Sequence, residues 1–96
     1  MKTVTINRKS WGRDTFCNID TGKCCAIGFL AKSELERQGK KPSSNEIDNY
    51  ADKLYDKEFR ALSKIAGIND QEDGQERIRL LREEFNKLGY KLVFKN

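Results

Sequence analysis

The sequence has no histidine, only three cysteines and no long hydrophobic run, and each shortage argues against a class of function. Without histidine, the commonest general base, a single chain cannot form a Ser-His or Cys-His nucleophile pair. A structural zinc site needs four ligands, usually from spaced pairs, and Cys17, Cys24 and Cys25 include an adjacent pair that suits a tetrahedron poorly. We therefore predict no catalytic residues, no metal site and no cofactor, and we expect the protein not to be an enzyme.

The lack of hydrophobic runs also bears on where the protein works. No apolar stretch approaches the ~18 residues of a membrane span, and the first residues lack the apolar core of a signal peptide. The cysteines are odd in number and Cys24 is adjacent to Cys25, so a disulfide framework is not expected. We predict a cytoplasmic protein with free thiols and no contact with a membrane.

Charge is abundant and unevenly spread along the chain. Charged residues make up 35% of the sequence and hydrophobic residues 36%, with both signs interspersed, which is typical of a globular domain. Residues 1–41 hold nine Lys or Arg against four Asp or Glu, whereas residues 42–96 hold ten against eleven. The basic excess therefore lies in the N-terminal part, where it can face nucleic acid or an acidic protein surface, or simply keep the protein in solution.

Alternating residues at the two ends of the chain predict strands. Val4 and Ile6 share one face of the segment from Lys2 to Asn7, and Tyr90, Leu92 and Phe94 share one face of the segment from Tyr90 to Lys95. Their matching apolar faces make them natural partners in one sheet. A further β-rich stretch, residues 15–20, leads into a turn.

Helical spacing fills the chain between these strands. The pattern predicts one helix from Cys24 to Arg37, a long one from the Ser43–Glu46 capping box to about Ala66 with Gly67 as its stop, and a last one from about Gln75 to Leu88. Ninety-six residues allow one domain, spanning 1–96. The predicted fold class is α+β: a short antiparallel sheet that includes both chain ends, with about three helices packed on it.

The cysteines could carry chemistry through a reactive thiol. Cys24 lies near a predicted helix N-terminus and beside Lys23, a setting that lowers a thiol pKa. Alternatively, the cysteines are small hydrophobic residues buried at the junction of strand and helix, and we favour this interpretation.

The main candidate for a binding site is a basic loop with one indole. It combines Arg8, Lys9, Trp11 and Arg13, with Lys23 as a possible neighbour. Tryptophan and arginine are enriched at protein-interface hot spots, and cations around an aromatic ring also hold nucleic acid. The alternative is that Trp11 folds inward as a core residue. We assign these five residues to partner binding as a prediction.

Three stretches resemble a loose group of small uncharacterised proteins of tailed phages and prophages. They are the segment from Thr3 to Arg13, containing T-I-N-R-K-S-W-G-R; Gly22 to Leu30, G-K-C-C-A-I-G-F-L; and Ile68 to Phe94, where I-N-D precedes an E-R-rich helix and a closing G-Y-K-L-V-F. The group shows an R-x-x-W-x-R opening, a G-K-x-C-C-x-G-F segment and the same kind of ending. It usually has glycine where this chain has Asp14. The resemblance implies expression in an infected bacterial cytoplasm, and no residue role carries over from it.

Three functional hypotheses follow. The leading one is a phage-encoded interaction protein that binds a host protein or a protein–nucleic acid complex, with inhibition of antiviral defence, such as that of a CRISPR effector, as one candidate activity. The second is a small nucleic-acid-binding protein that uses the basic N-terminal region. The third is a cysteine-dependent enzyme.

Overall fold

The structure is a computed structural model that describes all residues from 1 to 96. Two strands and four helices follow one another along the chain, in the order β1 (Lys2–Asn7), α1 (Ala26–Arg37), α2 (Ser44–Lys57), α3 (Phe59–Gln71), α4 (Gly74–Lys87) and β2 (Tyr90–Lys95). A short 3-10 turn, Arg8–Ser10, follows β1. The α+β class is confirmed. None of the four helices combines the length and the apolar character that crossing a membrane requires.

The two chain ends pair in one sheet, as predicted, but the strands are parallel. The pairing runs from Lys2 opposite Tyr90 to Asn7 opposite Lys95. The predicted antiparallel arrangement is therefore wrong. Alternating apolar residues specify which face of a strand is buried, and that pattern is the same for either direction. The direction depends on the end of the molecule at which α4 delivers the chain, and periodicity carries no information about this.

The long helix predicted from residue 43 to residue 66 is two helices. The chain breaks at Glu58, whose φ of −115° and ψ of 44° are not helical, and α3 then continues past Gly67 to Gln71. One straight helix over residues 44–71 would be about 42 Å long, whereas the longest dimension of the protein is 31 Å. The break lets α2 and α3 both pack against α1. The fold therefore has four helices rather than three, and the capping box of Ser43 and Glu46 is confirmed.

Helix α1 lies at the centre of the core and is buried over the whole of its first half, from Ala26 to Ala31. At Gly28 the helix lies so close to the backbone of Phe16 that a Cβ atom on residue 28 would be 2.0 Å from the Phe16 carbonyl oxygen. The sheet contributes one face to the same core, and the other helices each contribute an apolar stripe. The largest fully buried apolar side chains are Val4, Ile6, Ile27, Leu62, Ile65, Leu81 and Phe85.

A short hairpin before α1 joins two of the cysteines. The N–H of Asn18 donates to the carbonyl of Lys23 at 2.8 Å, and the N–H of Cys25 donates to the carbonyl of Phe16 at 3.1 Å. Cys17 and Cys24 therefore face each other as a non-hydrogen-bonded antiparallel pair, the closer kind of cross-strand pair. They form a disulfide, with their Cα atoms 4.1 Å apart, and Cys25 is the free, buried thiol. The expectation of three free thiols is wrong, because the hairpin brings together two cysteines that the sequence separates.

Candidate binding surface

The buried side chain of Asn69 organises the loop that contains Trp11. Its Oδ1 atom accepts hydrogen bonds from the Trp11 indole N–H at 2.7 Å and from the Ala26 backbone N–H at 3.0 Å. Its amide nitrogen donates to the Gly12 carbonyl at 3.1 Å and to the Asp70 carboxylate at 2.9 Å. One fully buried side chain thus joins the Trp11 loop, the first turn of α1 and the end of α3.

The indole ring of Trp11 is enclosed by two other side chains. The guanidinium of Arg77 lies 3.5 Å from the ring centroid, a cation–π distance, and the ring of Phe94 lies 5.1 Å away. Burial, and then the positive charge of Arg13, lower the pKa of Arg77 to about 10. Trp11 is half-buried and commits its ring face and its N–H to contacts within the protein. Its structural role is therefore established by geometry.

Arg13 is also tied to the body of the protein, at the C-terminal end of α3. Its guanidinium donates to the carbonyls of Asp70 and Glu72 and, at 2.8 Å, to the carboxylate of Asp73. A cation at this end meets unpaired carbonyl groups and the negative end of the helix dipole. The N–H of Asp14 reinforces the junction by donating to the Asp70 carboxylate at 3.1 Å.

The other three residues of the predicted site, Arg8, Lys9 and Lys23, are exposed. Arg8 and Lys9 directly follow β1. Lys23 precedes Cys24, whose backbone pairs with that of Trp11 in an isolated parallel β-bridge. The guanidinium of Arg8 lies 5.5 Å from the Phe94 ring centroid, and that of Arg82 from α4 lies 5.4 Å from the same centroid. The structure thus brings together most of the predicted cluster and divides it into two anchored residues and three exposed ones.

Five cations therefore gather around the ends of the two strands, and we call this surface the basic edge. Every ion pair in the structure is made by other cations. The members of the basic edge consequently keep their full charge available to a partner. They are Arg8, Lys9, Lys23, Arg82 and Lys95.

Sequence reasoning missed Asn69, Arg77 and Arg82, although each left a signal. Asn69 continues the three-four spacing of Leu62 and Ile65, so a polar residue occupies an apolar stripe and requires buried hydrogen-bond partners. Arg77 and Arg82 flank the apolar stripe of α4, where a long side chain can lie along the core while its charge stays near water. Their targets could not be identified from the sequence, because the tertiary structure alone brings Trp11 to Arg77 and Phe94 to Arg82.

Cys25, the one free cysteine, lies in an environment unlike that of a nucleophile. It is buried at the start of α1 beside Asp70, and burial raises its pKa from 9.0 to about 11. An activated thiol needs a lowered pKa, because the thiolate is the reactive form. The pKa of Cys25 thus moves away from the value that catalysis would require.

We compared the chain with protein-family models, with curated proteins and with solved structures, and found no significant match in any of the three.

Proposed function

We propose that this protein works by binding: it attaches stoichiometrically to a host protein, or to a protein–nucleic acid complex, in the cytoplasm of a phage-infected bacterium. Inhibition of an antiviral defence system such as a CRISPR effector is one candidate consequence. The setting comes from the resemblance to small phage and prophage proteins. The mode of action rests on the chemistry of the basic edge.

One observation carries the proposal: the guanidinium groups of Arg8 and Arg82 lie 5.5 and 5.4 Å from the centroid of the same ring, Phe94, and neither forms an ion pair with a carboxylate. A free arginine loses conformational entropy when it is immobilised in an interface. Packing against an aromatic ring restricts these side chains before a partner arrives, so less entropy remains to be lost. Arginine and aromatic residues are also the types that dominate interface energies.

Nucleic acid is the second candidate partner, since cations that lack carboxylate partners also attract phosphates. Proteins that hold single strands add a stacking platform, an exposed aromatic face on which a base lies. The indole of Trp11 does not offer that face, because Arg77 covers it at 3.5 Å. This contact favours a protein partner over nucleic acid. A cysteine-dependent enzyme is the third candidate, and the raised pKa of Cys25 weighs against it.

The experiment compares capture of host proteins by three forms of the chain. The test variant carries Arg8→Glu, Lys9→Glu and Lys23→Glu, which reverses the charge of three of the five basic-edge residues without touching the anchored residues Trp11 and Arg13. The wild-type protein is expected to retain a defined host protein from bacterial lysate at a stoichiometric ratio, and the test variant is expected to lose it. Capture by the test variant at the wild-type level would contradict the assignment.

The matched control separates local charge from net charge. It carries Lys40→Glu, Lys41→Glu and Lys53→Glu, three exposed residues away from the strand ends, and it changes the net charge by the same amount. This control is expected to capture the host protein as the wild type does. Binding of duplex DNA and of RNA, measured against salt concentration, tests the second candidate. Tight binding whose affinity falls steeply with salt would favour nucleic acid over protein.

A further inference from the structure

The two outer edges of the sheet differ in how they are protected. At the outer edge of β1, the Ser33 hydroxyl and the Arg37 guanidinium of α1 both donate to the Thr3 carbonyl, at 3.2 and 2.7 Å. The backbone of β2 makes its hydrogen bonds to β1 alone. Alternate residues of a strand direct their N–H and C=O groups to opposite sides. Half of the backbone groups of β2 are therefore free to pair with another strand.

A groove of about 370 Å³ follows this free edge of β2. Five consecutive β2 residues, Tyr90 to Phe94, line it, together with Arg82 and Asn86 of α4 and the side chain of Met1. Most of the lining residues are apolar, two are cations, and none is a carboxylate. Because consecutive strand residues point to opposite faces, a cavity that touches all five lies along the edge of the strand.

We propose that β2 accepts an extended acidic segment of the partner protein as a third strand of the sheet. This inference rests on the proposed function and names the part of the partner that binds. Strand addition to an exposed edge supplies main-chain hydrogen bonds for affinity and side-chain sites for specificity. The six residues of β2 offer an edge about 20 Å long.

Charge selects the occupant of this edge. Arg82 lines the groove, and Lys91 and Lys95 project from β2 itself. A second copy of β2 would bring further lysines against these, and like charges on neighbouring strands repel. A segment in which Glu or Asp alternates with apolar residues instead places carboxylates beside the lysines and apolar side chains along the groove.

The test uses a defined probe, the capped peptide Glu-Val-Glu-Val-Glu-Val, with Lys-Val-Lys-Val-Lys-Val as its charge-reversed control. Amide hydrogen exchange is followed by NMR, residue by residue, in the free and the peptide-bound protein. In the free protein, alternate amides of β2 are expected to exchange fast. The Glu-Val peptide is expected to slow those amides at least tenfold, and the Lys-Val peptide is expected to leave them unchanged.

Two double variants test whether the lysines of β2 attract the acidic peptide. Lys91→Glu with Lys95→Glu is expected to weaken binding of the Glu-Val peptide at least tenfold, whereas Lys40→Glu with Lys41→Glu is expected to leave it unchanged. Unchanged exchange of the β2 amides at millimolar Glu-Val peptide would overturn the inference. Protection that grows with protein concentration and without peptide would overturn it too, since the edge would then pair with a second copy.

The same variants distinguish this inference from the proposed function. Suppose that the variant with Lys91→Glu and Lys95→Glu still captures the host protein, while the test variant, which is changed at Arg8, Lys9 and Lys23, loses it. The protein then binds a host factor, but not by strand addition at β2. If no host protein is captured and the Glu-Val peptide still protects β2, the edge is a strand-addition site and the proposed function is wrong.

Discussion

Replacing Asn69 by alanine is expected to destabilise the protein more than any exposed substitution, because the side chain fills four hydrogen-bonding roles at once. Asn69→Ala leaves the indole N–H of Trp11 and the backbone N–H of Ala26 without their acceptor. It also removes the donor to the Gly12 carbonyl. The loss therefore affects the loop, α1 and α3 together.

The size of the effect follows from burial. An unsatisfied buried donor costs about 1–3 kcal/mol, so two orphaned N–H groups and one weakened carbonyl contact give about 3–5 kcal/mol. At about 4–8 °C for each kcal/mol in a domain of this size, the melting temperature should fall by roughly 12–40 °C. Such a loss is a large fraction of the stability of a small domain, which is about 5–15 kcal/mol.

The assay is urea unfolding followed both by circular dichroism and by fluorescence. Trp11 is the only tryptophan, so its emission reports directly on the loop that Asn69 holds. The matched control is Asn49→Ala, on the exposed face of α2, which is expected to be neutral or to gain about 0.5 kcal/mol from helix propensity. If Asn69→Ala unfolds within 1 kcal/mol of the wild type, the hydrogen-bond network does not hold the loop as argued.

Three further predictions test other parts of the fold. Gly28→Ala should cost at least about 2–3 kcal/mol, because its Cβ would lie 2.0 Å from a backbone oxygen; Gly67→Ala, with open space around its Cβ, should gain about 0.5–1 kcal/mol in the same denaturation assay. Asp14 has a φ of 69°, so Asp14→Gly should raise the melting temperature and Asp14→Val should lower it; equal melting temperatures would contradict the strain. Burial raises the pKa of Cys25 from 9.0 to about 11, so its contribution to stability is complete below pH 9 and is lost as the pH rises toward 11. This alkaline loss, on the order of 2 kcal/mol, should be missing in urea melts of Cys25→Ala at pH 8 and 10.5.

Local patterns predicted the elements of this fold more accurately than their arrangement. The strand at Tyr90–Lys95 and the helix start at Ser43 were placed correctly, because alternation and the capping box depend on residues close in sequence. The break at Glu58 was missed, since neither glycine nor proline marks it. Packing imposes the break, because a straight helix would extend beyond the body of the protein and its second half would lose contact with α1.

The candidate site shows the same division. The sequence identified a basic loop around Trp11, but it could not say which of its residues face outward. Trp11 and Arg13 are anchored by Asn69 and by the end of α3, which lie more than fifty residues along the chain. No local pattern encodes such contacts, so only the tertiary structure shows which residues of the loop are anchored and which are exposed.

The sequence by itself determined the α+β class, the pairing of the two ends and the basic character of the N-terminal part, because composition and periodicity are properties of the chain alone. Only the tertiary structure decided the parallel direction of β2, the disulfide between Cys17 and Cys24, and the meeting of Arg8 with Arg82 on Phe94. Each of these contacts joins residues that are distant in the sequence and that meet only because a turn, or the packing of the helices between them, brings them together. Free energy from burial selects that packing as a whole, and no single segment carries the information.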